Sequence, residues 1–291
     1  MDVHWIIEDE LNSENKDSFT NYCKNFTKVK YSDFMIGTDG KVKGFTNVLG
    51  TECNICYGSI QSVKKLQKTY PLWHPGSYAY FPNYDCAKYY PYFLDYLLNR
   101  NSYILPLGTI MKDFVRIFDW FEEDYLFMRP ISGSKTFTGK VFALKDVFEK
   151  LKMEKDFHLI GGDELVLVAP SKNLGKEWRI VVAENKVIGG SLYKRDGEIK
   201  EERGLPDHVK EYSEEILKNV KYRPDLAFVM DVCEEYSDIR IYDDLRLSDL
   251  KLIELNSFSC SGMYACDLEP IVEAVESLAY WDWDDFYGGK N

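Results

Sequence analysis

The sequence predicts an α+β chain of two or three lobes, and three observations predict it. Apolar runs stopped by proline, Tyr125–Pro130 and Glu164–Pro170, read as buried strands. Glu177–Ala183 and Lys186–Tyr193 flank Glu184-Asn185 and read as a hairpin. Asp207–Lys221 is an amphipathic helix, with Asp207 as its N-cap just after Pro206.

At 291 residues the chain is long enough to bury a sizeable core. Hydrophobic residues make up 45% and aromatics 15%, the balance of a globular protein. A net charge of −12 argues against a nucleic-acid partner bound through its phosphates. No uninterrupted apolar run approaches the ~18 residues of a membrane span, and the start Met1–Glu10 lacks the pattern of a signal peptide. Seven cysteines, an odd number spread through the chain, do not form a full disulfide framework. A cytoplasmic setting is expected. Cys53-Asn-Ile-Cys56 has one half of a zinc motif, with only Cys86 and His74 nearby, and reads as structural thiols.

In chain order, Trp5-Ile6-Ile7 is a short strand and Lys16 to Phe26 a helix. Gly58-Ser-Ile reads as a strand edge running into the helix Gln61–Lys68, and the aromatic tract Tyr70–Pro82 as a loop. Ile104-Leu-Pro-Leu is a buried strand before a helix at Met111–Phe121. After Tyr125–Pro130 comes a small-residue loop, Ile131–Phe142, then a helix at Lys145–Met153. The charge run Lys194–Arg203 reads as a solvated loop. Strands at Asp225–Cys233 and Leu250–Ser259 precede a last helix, Leu268–Tyr280, and an acidic aromatic tail.

Candidate chemistry collects on these late strands. Glu254 and Asn256 interrupt an otherwise Leu/Ile strand and share one face, two residues apart. Asp231 joins them if the two strands pair. Few carboxylates plus an amide oxygen is the ligand set of a hard divalent cation. The loop with Gly133, Lys135, Gly139 and Lys140 departs from a P-loop, because five residues separate the glycines and Val141 stands where Ser or Thr is needed. Flanked by Arg129, it still suits polyphosphate: small residues let backbone N–H groups approach and the cations neutralise charge. Arg179 is either the ion-pair partner of these acids or a phosphate clamp.

This order of elements resembles the ATP-grasp ligases: a cation-ended strand, a Gly-rich loop, a hinge strand, an arginine strand with its hairpin partner, an Asp strand and a Glu-x-Asn strand. The match spans about 124 to 275, closest to a divergent branch, common in phage and bacterial genomes, with Arg129 where most members have Lys before the proline. The resemblance implies an ATP-grasp fold with two α+β lobes holding ATP, residues 116–291, preceded by an N-terminal α/β lobe, residues 1–115. It implies an ATP- and magnesium-dependent carboxylate–amine ligase working through an acylphosphate. Asp231, Glu254 and Asn256 would hold magnesium; Arg129, Lys135 and Lys140 would grip phosphates. Leu167 and Val168, in the stretch Val166 to Ala169, would read adenine by backbone, and Arg179 would stabilise transferred charge. The implied partners are small-molecule or peptide carboxylate and amine co-substrates, with no nucleic acid and no membrane. A kinase-like phosphotransferase and a non-catalytic nucleotide-binding scaffold are the alternatives. Further anion-binding candidates are Arg195, Arg203, Arg240, Ser257, Ser259 and Ser261. Glu254→Gln is expected to abolish turnover and leave the fold intact.

Overall fold

The computed structural model describes residues 3–8, 19–30, 53–71, 73–236 and 247–288, the side chains of 247–249 excepted. Two compact units make up the chain: Met1–Tyr80 with Lys176–Val232 and Leu255–Asn291, and Phe81–Gly175 with Cys233–Glu254.

The first unit opens with a parallel three-stranded sheet, order β2-β1-β3, made of β1 (His4–Glu8), β2 (Asn25–Val29) and β3 (Asn54–Tyr57). Trp5, Ile7 and Ile55 are fully buried, as expected for parallel strands covered on both faces. The helix expected from Lys16 to Phe26 does not form in its described part. Phe19–Asn21 is a single 3-10 turn and Asn25–Val29 is β2; pairing with β1 overrides local preference for Phe26, Thr27 and Val29. The strand also falls earlier than Gly58, at Asn54–Tyr57, with Cys56 of the CxxC inside it and Cys53 just before it, and all seven cysteines are free.

Helix α1 (Ile60–Thr69) is capped by Ser59, whose hydroxyl accepts from the Ser62 N–H at 3.3 Å. Later in this unit, α5 (Asp207–Asn219) starts one residue off the expected register. Pro206 occupies the cap position, and Asp207 adds negative charge to the first turn. Helix α6 (Leu268–Tyr287) continues past Tyr280 because Trp283, in the acidic tail, joins the core with Ile271, Val275 and Ala279. Trp5, Ile7, Ile55, Val181 and Val229 complete that core.

A five-stranded sheet has the order β10-β9-β8-β11-β12, from β8 (Leu174–Ala183), β9 (Lys186–Arg195), β10 (Glu198–Arg203), β11 (Ala227–Tyr236) and β12 (Leu247–Ser257). The β8–β9 hairpin turns on Glu184 (φ 49°) and Asn185 (φ 63°), the paired positive φ of a type I′ turn. The charge run expected as a loop is instead a second hairpin, turning on Asp196-Gly197 into β10. All six β10 residues are exposed, which keeps this edge charged and discourages further pairing.

The second unit holds an antiparallel sheet, order β4-β7-β5-β6, from β4 (Tyr103–Pro106), β5 (Tyr125–Pro130), β6 (Lys140–Ala143) and β7 (Leu165–Pro170). Helices α2 (Cys86–Phe93), α3 (Leu107–Phe121) and α4 (Val147–Phe157) accompany it. Leu107, Ile110, Phe118, Met128, Phe142 and Val166 form its core. Among the described residues no helix is long and apolar enough to cross a membrane.

Candidate active site

The expected site residues fall into two clusters, each built within one unit. In the second unit, Glu254 on β12 lies between two cations. Arg129, at the end of β5 and 5% exposed, donates from Nη1 to Glu254 Oε2 at 2.5 Å and from Nε to the Pro130 carbonyl at 3.3 Å. Lys135 Nζ donates to Glu254 Oε1 at 2.9 Å. Lys135 has a left-handed backbone (φ 48°) and closes a turn with its N–H on the Ser132 carbonyl at 3.1 Å. Gly133 lets this loop lie on the Phe81–Tyr84 turn. A Cβ there would meet Tyr84 Cβ at 2.5 Å and the Phe81 carbonyl oxygen at 2.7 Å. Burial pushes the Cys86 thiol up against the opposing pull of Arg129, so Glu254 is the anion that balances that guanidinium.

Two of the cations expected to grip phosphate are engaged by acids in the fold. Arg129 is buried against Glu254 and Pro130, because the strand-end position turns its guanidinium inward to the acid. Lys140 does not join Lys135: it pairs with Glu154 on α4 and lies over the Phe142 ring.

In the first unit, Asp231 (2% exposed) receives Arg179 as a planar fork, Nε to Oδ1 at 2.9 Å and Nη2 to Oδ2 at 2.8 Å. Asn256 Nδ2 donates to the same Oδ2 at 2.9 Å. The third arm of the guanidinium, Nη1, donates to the Gly262 carbonyl at 2.7 Å. Spacing left Arg179 open between ion pair and clamp; its partner in the fold is Asp231. Burial alone would lower its proton affinity, but the Asp231 carboxylate outweighs burial and holds it charged.

Two rings, stacked on each other, lie to one side of this guanidinium. Its Cζ lies 4.8 Å from the Tyr264 ring centre and 5.5 Å from that of Tyr193. Tyr264 and buried Glu177, which accepts the Tyr193 hydroxyl at 2.7 Å, were not marked by the sequence. The available signal for Glu177 was the alternation Trp178/Ile180, which sets it two residues before Arg179 on the same face.

Leu167 and Val168 are fully buried in β7, paired with Arg129 and Met128 of β5 and with Ile104 and Tyr103 of β4. Pairing with β4 stops at Val168. The loop serines hold the loop itself: Ser261 Oγ donates to the Ser257 carbonyl, and Ser259 Oγ accepts the Tyr78 N–H. Arg195 pairs with Glu202 and Arg203 with Asp267. Arg240 lies outside the described residues.

Residues 109–274 match a family model described as an ATP-grasp domain, family 2 of its clade. Among curated proteins, none matches the sequence. Solved structures share the fold at low identity. The D-alanyl-alanine synthetase A of Vibrio cholerae is 10% identical with a TM-score of 0.58, over 97% of this chain and 98% of that one. The D-alanine–D-alanine ligase of Bacillus anthracis is 12% identical with a TM-score of 0.56, over 100% of both. The ATP-grasp ligase PsnB, solved with a minimal precursor, is 11% identical with a TM-score of 0.53, over 96% and 99%. The matched span covers more than half of the chain and its fold is theirs: the chain belongs to the ATP-grasp family.

Proposed function

We propose that the protein is an ATP- and magnesium-dependent ligase that joins a carboxylate to an amine through an acylphosphate. The observation that carries this reading is the match of residues 109–274 to the ATP-grasp family model; in the fold Asp231 pairs with Arg179, and Glu254 with Arg129 and Lys135. The donor set of two carboxylates and the Asn256 amide is all oxygen, which fits a hard divalent cation. A divalent cation would share these carboxylates with Arg179, Arg129 and Lys135. Membership of the ATP-grasp family supports the nucleotide, and PsnB was also solved with Mg and ADP.

Asp231, Glu254 and Asn256 would hold magnesium, which when bound screens the triphosphate against an approaching anion. Lys135, partly exposed, gives up Glu254 for a phosphate oxygen, while buried Arg129 keeps the Glu254 carboxylate oriented. The adenine-reading role moves from Leu167 and Val168, which are paired on both sides, to the end of β7 beyond Val168. A substrate carboxylate oxygen attacks the γ-phosphorus, and ADP leaves with the P–O bonding pair. The amine then attacks the acyl carbon, phosphate leaves with the C–O pair, and the nitrogen sheds its proton. Arg179 stabilises the negative charge that collects on oxygen.

Hydroxylamine trapping across a panel of amino acids and short peptides, with Mg·ATP, tests this reading. A ligase yields a hydroxamate together with ADP. ADP without hydroxamate for every panel member marks a phosphotransferase, and neither product with any member marks a scaffold.

A further inference from the structure

The β8–β9 ladder shifts its register twice, between Val181 and Val182 and, closer to Arg179, between Glu177 and Trp178. Glu177 faces Lys194, and the next residue, Trp178, faces Leu192, so Tyr193 has no opposite partner. This is a β-bulge, which sets two successive residues of one strand against a single residue of the other and re-aims a side chain. The consequence is visible in the contacts. Tyr193 and Lys194 both reach Glu177, the tyrosine hydroxyl donating at 2.7 Å and the ammonium lying at 3.3 Å.

Glu177 is 5% exposed and plays no part in the chemistry above. It fixes the Tyr193 ring instead. That ring stacks on Tyr264 with 4.9 Å between centres and 13° between planes, and both rings lie against Arg179. Tyr264 takes part from a left-handed backbone (φ 49°), two residues after Gly262, whose carbonyl accepts from Arg179. An aromatic residue at positive φ is uncommon and persists where its surroundings over-determine it. Bulge, buried acid, ring stack and strained loop residue all converge on one guanidinium.

We propose that the stacked pair Tyr193 and Tyr264 is a one-sided clamp that positions Arg179 against Asp231, with Glu177 and Lys194 anchoring it, and that the clamp governs turnover and not nucleotide affinity. The functional half rests on the ligase reading above. Ring faces attract a guanidinium without competing for its N–H groups, so the fork on Asp231 stays intact while the plane of Arg179 is fixed. An offset of about 1 Å in a charge-stabilising group can cost on the order of a hundredfold in rate.

The test combines a spectrum with kinetics on the full chain. The Arg179 Nε–H resonance, assigned with Arg179→Lys, is expected to be sharp and slow to exchange in the wild type. It should be lost in Tyr264→Leu and restored in Tyr264→Phe, and Glu177→Gln should broaden it. With Mg·ATP and the same panel of amino acids and short peptides as probe, ADP release in Tyr264→Leu is expected to fall about tenfold while Mg·AMPPNP affinity stays within about threefold. A resonance unchanged in Tyr264→Leu overturns the clamp. Equal losses in the Leu and Phe variants also overturn it, as does an affinity loss matching the rate loss. Failure of the wild type to bind Mg·AMPPNP, with a ring-dependent resonance, instead overturns the ligase reading and leaves the clamp standing.

Discussion

Glu254→Gln separates what the structure requires of this acid from what the chemistry requires. The variant keeps side-chain size and one acceptor but removes the charge facing Arg129, which is 5% exposed with its Nη1 2.5 Å from Oε2. Breaking a buried ion pair on one side costs about 3–5 kcal/mol. Glutamine still accepts one hydrogen bond, so the low end, about 3 kcal/mol, applies. Lys135, 36% exposed at its side chain, adds no more than about 0.5 kcal/mol. At roughly 2–4 °C per kcal/mol for a chain of this size, the melting point should drop by about 6–12 °C. Calorimetry of Glu254→Gln, Arg129→Met and the double variant checks this, because a true pair shows a coupling energy of about 2–3 kcal/mol. A Glu254→Gln variant within about 0.5 kcal/mol of wild type, with no coupling, would refute the pairing. The sequence expectation that this substitution spares the fold overlooked a buried partner 125 residues away.

Three further outcomes follow from named contacts. Arg179→Ala should lower ADP-forming turnover by on the order of a hundredfold and change ATP affinity little, read from steady-state kinetics beside calorimetric titration. Gly133→Ala forces a Cβ to within 2.5 Å of Tyr84 Cβ, so the loop must lift at a cost of about 1–3 kcal/mol; Mg·AMPPNP affinity should fall with the melting point. Burial pushes the Asp225 carboxyl up to about 7, against the opposing N–H groups of Tyr80 and Leu226. The folded chain then keeps a proton that the unfolded chain releases near pH 4, and stability falls as pH rises from about 4 to 7. Denaturation of Asp225→Asn across that range should give a flatter slope by up to one proton.

Elements with a strong local signature were legible. The runs Tyr125–Pro130 and Leu165–Pro170 and the turn Glu184-Asn185 carry their structure in residue type. The missed elements depend on distant partners. β10 is entirely charged or exposed and exists because β9 pairs with it. α2 buries Cys86, Tyr89, Tyr90 and Phe93 at helical spacing, but Pro91 inside it masks the signal, while β2 is held by β1. For the site, residue type marked Asp231, Glu254, Asn256 and Arg179, since buried acids and arginines stand out in apolar strands. Their pairing was not legible: whether Arg129 faces solvent or Glu254 depends on how the ends of β5 and β12 approach. The Tyr193 bulge was equally hidden, because a register slip leaves no fixed residue signature and Tyr264 is 71 residues further on.

A thermal-shift titration with ATP, with and without magnesium, tests the nucleotide site most directly. A ligand that binds only the folded state stabilises it by about 2.7 kcal/mol at a hundred times its Kd, or roughly 5–10 °C here. The expected result is a shift that needs magnesium in the wild type and is absent in Glu254→Gln at any ATP concentration that saturates the wild type. No shift at millimolar ATP, or one of equal size in Glu254→Gln, would contradict the assignment of Glu254 to the metal and the reading of this chain as an ATP-dependent ligase.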